Sequence, residues 1–514
     1  MYSNLSSAAV FGISAFLVEI ETHLDNGLPN FMIVGLPDSA VKESRERVTA
    51  AIKNSDFIFP AKKITINLAP ADIRKEGSSF DLPIALGVLC AMGIIENDSL
   101  KDTLFLGELA LDGSLRPIHG ALSIAVEAKK NNIKRVLLPK QNADEAALVD
   151  GLEVIPVETL AEANAFLNNE KRIEPLIVDI KSLFEENQKN YAFNFTDVKG
   201  NENVKRSLEV AAAGGHNVLM IGPPGSGKTM LARRLPTILP PLTLEEALET
   251  TKIHSVSGLL SQNEALLTIR PFRDPHHTIS DAALVGGGMN KIRPGEISLA
   301  HHGILFLDEL PEFARNVLEV MRQPLENRKI TISRTKLTVE YPANFMLVCS
   351  MNPCPCGNFG NPVKECSCTS TQIQRYLSKI SGPLLDRIDI HIEVPAVKYQ
   401  DMTSVKPGES SEMIRDRVIK ARNIQEERFK NIKEVYKNSD MGSKEIRKFC
   451  QLGSDSQAIM KNAMDKLGFT ARTFDRIQKV ARTIADLSVS ENIRPEHISE
   501  AIQYRSLDRQ YWKN

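Results

Sequence analysis

Residues 222–229 read Gly222-Pro223-Pro224-Gly225-Ser226-Gly227-Lys228-Thr229, the eight-residue pattern G-x-x-x-x-G-K-[ST] of phosphate-binding loops. An apolar run precedes the loop at 217–221, and a helix-compatible run follows it at 230–235. In that setting the glycines let backbone N–H groups turn towards phosphate oxygens at a helix N-terminus. We therefore expect the loop to bind ATP, with Lys228 on the outer phosphates and Thr229 on Mg²⁺.

Two further strands are predicted to end at the same site. The apolar run 303–307 is followed by Asp308 and Glu309, and the run 345–350 leads to Asn352. Continuous apolar runs are typical of buried parallel strands, and ligands of open α/β sheets lie beyond the carboxyl ends of the strands. We expect Asp308 to face the Mg²⁺, Glu309 to polarise the attacking water, and Asn352 to orient that water or a γ-phosphate oxygen.

The length and composition indicate a multidomain α/β protein of the cytoplasm. A chain of 514 residues is too long for one compact core, which predicts roughly two to four domains. The net charge of −1 argues against a globally basic nucleic-acid coat but is compatible with a local basic strip. No long apolar run or signal-peptide pattern is present, so we expect no membrane association and a compartment in which thiols stay reduced.

Four segments are predicted from the order of apolar runs, polar stretches and motifs. They are an α+β domain at 1–168, a polar linker at 169–195, the nucleotide-binding core at 196–396, and a helical lid at 397–514. The stretch 240–300 is long for a helix-to-strand connection and predicts an insertion. It contains the pair His276-His277, which we interpret as structural, although metal or phosphate contact is the alternative.

A cysteine cluster is the second group of residues that suggests a chemical role. Cys354, Cys356, Cys366 and Cys368 place four thiols between positions 354 and 368. Four thiolates suit a tetrahedral Zn²⁺. The C-x-C spacing is tighter than the usual C-x-x-C spacing, so free or redox-active thiols are the alternative interpretation.

A basic stretch at 328–340 has the alternating β-branched and polar pattern of a hairpin. Its bases are Arg328, Lys329, Arg334 and Lys336. They either keep a solvated hairpin soluble or contact the phosphates of DNA, single-stranded or branched.

The N-terminal segment resembles Lon-type protease domains, whose fold is ribosomal protein S5 domain 2-like, through the run 107–118 and the strand after it. In that family a serine is activated by a lysine. Here Ser79 is the candidate serine, and Leu122 stands where the lysine is expected. Because such a serine needs a base, the resemblance implies a scaffold without peptidase activity.

The order of phosphate loop, insertion, Asp-Glu strand, basic hairpin, Asn352 strand and helical lid resembles an AAA+ ATPase of the magnesium-chelatase-like branch. With the N-terminal segment and the cysteines, the chain resembles the YifB/ComM family over essentially its whole length. The resemblance implies that Arg387 is an arginine finger acting on a neighbouring subunit and that Arg472 is the second sensor. It also implies a hexameric ring and a DNA branch-migration helicase in natural transformation.

Three functional classes remain in competition. They are a DNA-translocating ATPase, an ATP-driven motor of the metal-chelatase type that remodels a protein partner, and an ATP-dependent protease. The basic hairpin favours the first class, because a ring can present one hairpin per subunit to a DNA backbone. The leucine at position 122 counts against the third.

Overall fold

The computed structural model describes residues 1–187, 191–261, 264–288, 292–334, 337–361, 364–396 and 408–512. Within these ranges the chain forms mixed α/β structure around two large sheets. No helix of the described ranges is both long enough and apolar enough to cross a membrane.

The first sheet has seven strands in the order β3-β4-β2-β1-β5-β8-β9. Strand β1 pairs antiparallel with β2 along the full length of β1, whereas β3 runs parallel to β4 at the edge. The run 107–118, which carries the Lon resemblance, forms a separate two-stranded hairpin of β6 with β7. The strands of this segment are β1 (Tyr2–Phe11), β2 (Ser14–Asp25), β3 (Asn30–Val34), β4 (Lys63–Ala69), β5 (Thr103–Phe105), β6 (Glu108–Leu109), β7 (Leu115–Arg116), β8 (Arg135–Pro139) and β9 (Glu153–Val157).

Strand β1 has no counterpart in the sequence prediction, because serines interrupt its apolar pattern. The structure buries two of those serines and satisfies their hydroxyl groups. Ser3 donates to the carbonyl of Gly87, and Ser7 donates to the carbonyl of Phe105. Buried polar groups are tolerated when they are hydrogen-bonded, so a polar strand can lie inside the sheet.

Helices cover this first sheet. Asp38 caps the helix Ser39–Asn54 by accepting a 2.8 Å hydrogen bond from the N–H of Val41. Every residue of the helix Asp81–Ala91 is buried, as expected of a helix that is apolar all round. The remaining α-helices before residue 170 are Ala121–Lys130, Ala143–Ala146 and Leu160–Leu167.

The second sheet has five parallel strands in the order β11-β14-β17-β10-β18. All residues of β10, β14 and β17 are buried, which explains their continuous apolar sequences. The strands from here on are β10 (Val218–Ile221), β11 (Phe272–Arg273), β12 (Gly286–Gly287), β13 (Arg293–Pro294), β14 (Ile304–Leu307), β15 (Lys329–Arg334), β16 (Leu337–Pro342), β17 (Met346–Met351) and β18 (Ile390–Glu393). Strands β15 and β16 pair antiparallel, so the predicted hairpin is confirmed.

After the Asp308-Glu309 strand the sequence predicts a single helix over 314–326, but the structure has two short helices that meet at Met321. Pro324 lacks the N–H that would bond to the residue four positions earlier, and its ring crowds that carbonyl. The α-helices around this sheet are Glu202–Gly214, Lys228–Arg234, Leu244–Ser257, Asp281–Val285, Glu296–Leu299, Arg315–Val320, Arg322–Asn327, Ser370–Leu377 and Gly382–Leu385.

The C-terminal segment is helical, as predicted. Its helices are Ser411–Phe429, Ser443–Phe449, Ser454–Leu467, Ala471–Leu487, Pro495–Gln503 and Leu507–Trp512. The sequence pattern predicts a last helix that ends at Tyr504, so the helix Leu507–Trp512 is an addition to it. It packs beside β18, where the Trp512 ring lies 5.7 Å from the ring of His391.

The predicted linker contains a helix, Ile180–Asn187, that joins an apolar cluster between the two sheets. Leu122 of the N-terminal segment and Ala247 of the helix Leu244–Ser257 are core members of this cluster. Beside it, Oε1 of Glu145 accepts hydrogen bonds from the N–H of Leu122, at 2.8 Å, and from the hydroxyl of Ser255. The position where a Lon lysine was expected is therefore a buried packing position.

Candidate nucleotide site and cysteine cluster

The phosphate loop connects β10 to the helix Lys228–Arg234, and its backbone requires glycine at specific positions. Gly225 and Gly227 have φ of +75° and +89°, in the left-handed region that L side chains rarely adopt. Gly222 is required for space, since a Cβ there would lie 2.2 Å from the carbonyl oxygen of Val394. The loop sequence is thus matched to one backbone shape.

Lys228 is buried, and its ammonium group lies among acceptors of the loop. Nζ donates to the carbonyl oxygens of Gly222 at 2.8 Å and Pro223 at 3.0 Å, and to Oδ1 of Asn352 at 3.3 Å. Burial lowers the pKa of Lys228, while the carboxylates of Asp308 and Glu309 act in the opposite direction. The lysine therefore connects the phosphate loop to the end of β17.

Asp308 joins three elements at one point. Its Oδ2 accepts a 2.7 Å hydrogen bond from the Thr229 hydroxyl, and its Oδ1 accepts from the Ser350 hydroxyl and, at 3.0 Å, from the N–H of Glu309. A hydroxyl oxygen and a carboxylate are oxygen ligands of the kind that Mg²⁺ takes. Ser350 was missed from the sequence, and a small polar residue in the otherwise apolar strand β17 is the signal that marks it.

Glu309 follows in the left-handed backbone region, with φ of +54°, and its side chain is 56% exposed. Its Oε2 lies 3.7 Å from Nδ1 of His277. The His277 ring in turn lies 4.1 Å from the ring of His276. The histidine pair that was interpreted as structural therefore reaches the site through the carboxylate of Glu309.

A cavity of about 350 Å³ lies between these groups. Among the described residues it is lined by Pro224, Gly225, Ser226, Gly227, Lys228, Thr229, Met230, Asp308, Glu309, Ser350, Met351 and Asn352. The structure thus brings together the loop, the Asp-Glu pair and the asparagine that the sequence analysis selected from three separate strands.

The two arginines selected by resemblance lie outside this cavity. Arg387 forms an ion pair with Glu326 and donates to the carbonyl of Pro383, and its side chain is 13% exposed. Arg472 lies at the start of the helix Ala471–Leu487, is 69% exposed, and has Nη1 3.9 Å from Oδ2 of Asp386. Neither arginine contributes to the nucleotide cavity formed by its own chain.

The four cysteines converge on one point, with all Sγ atoms within 4.8 Å of one another. The Cys354 sulfur lies 3.4 Å from that of Cys356 and 3.7 Å from that of Cys366, and the latter two are 3.6 Å apart. With Zn–S bonds of about 2.3 Å, tetrahedral ligand atoms lie roughly 3.8 Å apart. The donor set and its spacing fit a tetrahedral zinc ion held by Cys354, Cys356, Cys366 and Cys368.

A second cluster, Glu249 with His301 and His302, does not fit a metal. The N–H of Asn344 donates to Nδ1 of His301, so the neutral ring carries its proton on Nε2, the atom 3.2 Å from Glu249. A ligand nitrogen needs a free lone pair, which this protonated Nε2 lacks. The cluster is better explained as an imidazole–carboxylate contact.

The basic hairpin is tied to its surroundings at its base. Arg328 forms a 2.6 Å ion pair with Asp440 of the helical segment, and Lys329 pairs with Glu340 across the hairpin at 3.1 Å. Lys336 and the side chain of Arg334 lie outside the described residues. Two of the four predicted DNA-contacting bases therefore have carboxylate partners within this chain.

Three family models match the chain. The model "Magnesium chelatase, subunit ChlI" matches residues 194–402, "Subunit ChlI of Mg-chelatase" matches 20–142, and "Magnesium chelatase, subunit ChlI C-terminal" matches 408–505. Together they cover the central part of the N-terminal sheet, the nucleotide-binding sheet and most of the helical segment.

Individual proteins are similar over nearly the full length. Competence protein ComM of Haemophilus influenzae is 45% identical over 509 residues, covering 98% of this chain and 97% of that protein. The YifB protein of Escherichia coli is 44% identical over 510 residues, covering 99% and 97%. The magnesium-chelatase subunit ChlI of Euglena gracilis is 22% identical over 322 residues, covering 58% and 78%.

Proposed function

The chain belongs to the YifB/ComM family of magnesium-chelatase-like AAA+ ATPases, and from that membership we propose that it is a hexameric DNA helicase driven by ATP hydrolysis. Membership implies an ATPase motor that uses ATP with Mg²⁺ and forms oligomers. The observation that carries the ATP-hydrolysing part of the proposal is the convergence of Lys228, Thr229, Asp308, Glu309 and Asn352 on one cavity.

We assign the hydrolytic roles from this geometry. The N–H groups of the loop and the Lys228 ammonium bind phosphate oxygens. Thr229 and Asp308 hold the Mg²⁺, which neutralises charge on the phosphates when it is bound. Glu309 orients and polarises the attacking water, and Asn352 orients that water or a γ-phosphate oxygen.

Arg387 is proposed to complete the site of the neighbouring subunit. It lies outside the cavity of its own chain, and its buried Nε has no hydrogen-bond partner among the described residues. An arginine supplied in trans stabilises the charge that develops on the transferred phosphate. Arg472, exposed at the start of a lid helix, is proposed as the second sensor.

The substrate of the motor is proposed to be single-stranded or branched DNA, and the activity branch migration during homologous recombination. The name of the Haemophilus influenzae relative, competence protein, supports a role in natural transformation. Along the chain, the antiparallel hairpin β15–β16 lies between the Asp308-Glu309 strand and the Asn352 strand. A change of the nucleotide bound at these residues is therefore proposed to move the hairpin.

A protein-remodelling motor of the metal-chelatase type is the second candidate. Three models of a magnesium-chelatase subunit match successive parts of the chain, which favours this alternative. In either case we propose that residues 1–168 form a Lon-like scaffold without peptidase activity. Leu122 is buried in the cluster that joins this segment to the ATPase sheet.

We also propose that Zn²⁺ is a structural cofactor at the four cysteines. The close approach of their sulfur atoms supports one shared ion. Zn²⁺ with four thiolates leaves no open coordination position, as in structural rather than catalytic sites.

An ATPase assay with and without DNA tests the proposal. Purified protein with Mg²⁺ is given no DNA, single-stranded DNA, duplex DNA or a four-way junction, and Lys228→Ala is the matched inactive control. We expect turnover to rise with single-stranded or branched DNA and the junction to be converted to products. ATP hydrolysis that no DNA stimulates, with no junction conversion, favours the protein-remodelling motor.

A further inference from the structure

We propose that the four-cysteine metal centre braces the phosphate loop, so that ATP affinity depends on the metal. This inference rests on the proposed zinc ion and on ATP binding at residues 222–229. The metal is proposed to act on ATP binding alone, independently of hydrolysis, DNA and ring assembly.

The centre contacts the phosphate loop directly at Gly357. This residue lies between the two cysteine pairs and has φ of +79°. A Cβ built on it would lie 2.5 Å from Cδ and 2.8 Å from Cγ of Pro224. The backbone of the cysteine segment is therefore packed against the ring of a residue that lines the nucleotide cavity.

A second connection runs through Asn352. Its side chain accepts from Lys228 Nζ, and it stands two residues before Cys354. Cys354 is fully buried, and its sulfur is the one that approaches both Cys356 and Cys366. Fixing this sulfur on a metal fixes the backbone that presents Asn352 to the lysine.

Apart from two backbone turns and the packing of Phe359 beside the ring of Tyr511, the described part of the cysteine segment has no regular element to hold its shape. Between Met351 and Ser370 the described residues form no helix and no strand. Two of its hydrogen bonds end on sulfur, from the N–H of Phe359 to Cys354 and from the N–H of Cys356 to Cys368. One ion bonded to both cysteine pairs would replace the missing secondary structure, and its removal would release Gly357 from Pro224.

Nucleotide affinity is measured by titrating each protein with a fluorescent ATP analogue in the presence of Mg²⁺. The metal is removed in the double variant Cys366→Ser with Cys368→Ser. The contact alone is disturbed in Gly357→Ala, which keeps all four ligands. Gly360→Ala is the matched control, because Gly360 has a similar φ of +77° but no described atom within 4 Å of its built Cβ.

We expect the dissociation constant to rise roughly tenfold or more in the metal-free protein and in Gly357→Ala, equivalent to about 1.4 kcal/mol. Elemental analysis should find zinc in Gly357→Ala and Gly360→Ala, and Gly360→Ala should bind the analogue like the wild type. Thermal melting of each variant separates loss of binding from loss of folding.

If zinc-loaded Gly357→Ala binds the ATP analogue with wild-type affinity, the proposed support of the phosphate loop is contradicted, whatever the affinity of the cysteine variant. An equal loss of ATP-analogue affinity in Gly357→Ala and Gly360→Ala also contradicts the proposal. Backbone strain at any glycine of the segment would then explain the loss, without the contact between Gly357 and Pro224. Failure of the wild-type protein itself to bind the analogue contradicts the proposed nucleotide site instead, so the two failures are distinguishable.

Discussion

The Thr229 hydroxyl donates a 2.7 Å hydrogen bond to the Asp308 carboxylate, which joins the helix after the phosphate loop to the end of β14. The two residues are 79 positions apart in sequence. Their contact places the two proposed Mg²⁺ ligands side by side and leaves Glu309, the next residue, exposed to solvent and to His277. This arrangement is the reason for assigning different roles to the two acidic residues, Asp308 as a Mg²⁺ ligand and Glu309 as the residue that polarises water.

Replacing Glu309 by glutamine should slow ATP hydrolysis by roughly 100-fold or more, because the amide cannot accept the proton of the attacking water. ATP binding should be retained, since Lys228 and the loop are untouched. Stopped-flow binding and steady-state phosphate release measure the two effects, with Lys228→Ala as the variant that loses binding. Normal turnover in Glu309→Gln would assign the water-polarising role to another group.

Replacing Arg387 by alanine should lower turnover by about 10³-fold, the scale typical of an arginine supplied in trans. Rings assembled from Arg387→Ala and Lys228→Ala chains should regain activity, because some shared sites then contain both intact residues. Phosphate release is measured on rings shown by native mass spectrometry to be mixed.

The control for this experiment is Glu326→Ala, which breaks the ion pair with Arg387 but keeps the arginine. We expect it to retain most activity. Mixed rings that stay inactive, or a Glu326→Ala variant as impaired as Arg387→Ala, would indicate that the arginine acts within its own chain.

Protein purified without added metal should contain about one zinc per chain, held by Cys354, Cys356, Cys366 and Cys368. Elemental analysis and a thiol titration measure the metal and the free sulfhydryl groups. Replacing Cys90, which is buried in the helix Asp81–Ala91 of the N-terminal segment, by alanine is the control and should leave the zinc content unchanged. If the protein contains no metal and the four thiols of the cluster titrate as free sulfhydryl groups, the zinc assignment is wrong.

Replacing Glu145 by glutamine should stabilise the junction between the two sheets at alkaline pH. Burial raises the pKa of Glu145 above its ordinary value of 4.5, although hydrogen bonds from Ser255 and Leu122 act in the opposite direction. The folded protein therefore holds this proton more tightly than the unfolded chain. The resulting stabilisation is complete below the ordinary pKa and is lost as the pH rises through the folded pKa.

Melting temperatures measured at pH 5 and pH 8 should show a larger gain for Glu145→Gln at pH 8. The glutamine can still accept from the N–H of Leu122 and the Ser255 hydroxyl. Glu153→Gln, at an exposed position of β9, is the control and should change little with pH. A gain in melting temperature that does not depend on pH would mean that ionisation of the buried Glu145 carboxyl group does not destabilise this junction.

Removing two bases of the hairpin, Arg334→Ala with Lys336→Ala, should weaken DNA binding and abolish branch migration, while basal ATPase survives. Loss of two phosphate contacts should also reduce the slope of log affinity against log salt by roughly one to two. Binding is measured by fluorescence anisotropy across a salt series.

The matched control removes the same charge elsewhere, through Lys461→Ala with Lys466→Ala on the exposed face of a lid helix. This control should bind DNA like the wild type. Equal losses in both double variants would indicate a general charge effect, and wild-type binding in the hairpin variant would move the DNA contact to another surface.

The local parts of the site were predictable because each is determined by a short stretch of sequence. A phosphate loop needs its glycines for backbone shape, and a buried strand needs a continuous apolar run, whatever the rest of the chain does. Asp308, Glu309 and Asn352 follow directly from such runs, since the carboxyl ends of parallel strands meet at one edge of a sheet. The cysteine cluster was likewise visible from spacing alone.

Other relationships depended on which distant segments pack together, and these only the tertiary structure decided. Ser350 and His277 belong to the site because β17 and the segment after β11 flank β14. Gly357 meets Pro224, and Arg328 meets Asp440, across more than 100 residues of chain. Periodicity records whether a side chain is buried, but the partner that it meets is set by the packing of whole elements, and no short stretch of sequence contains that information.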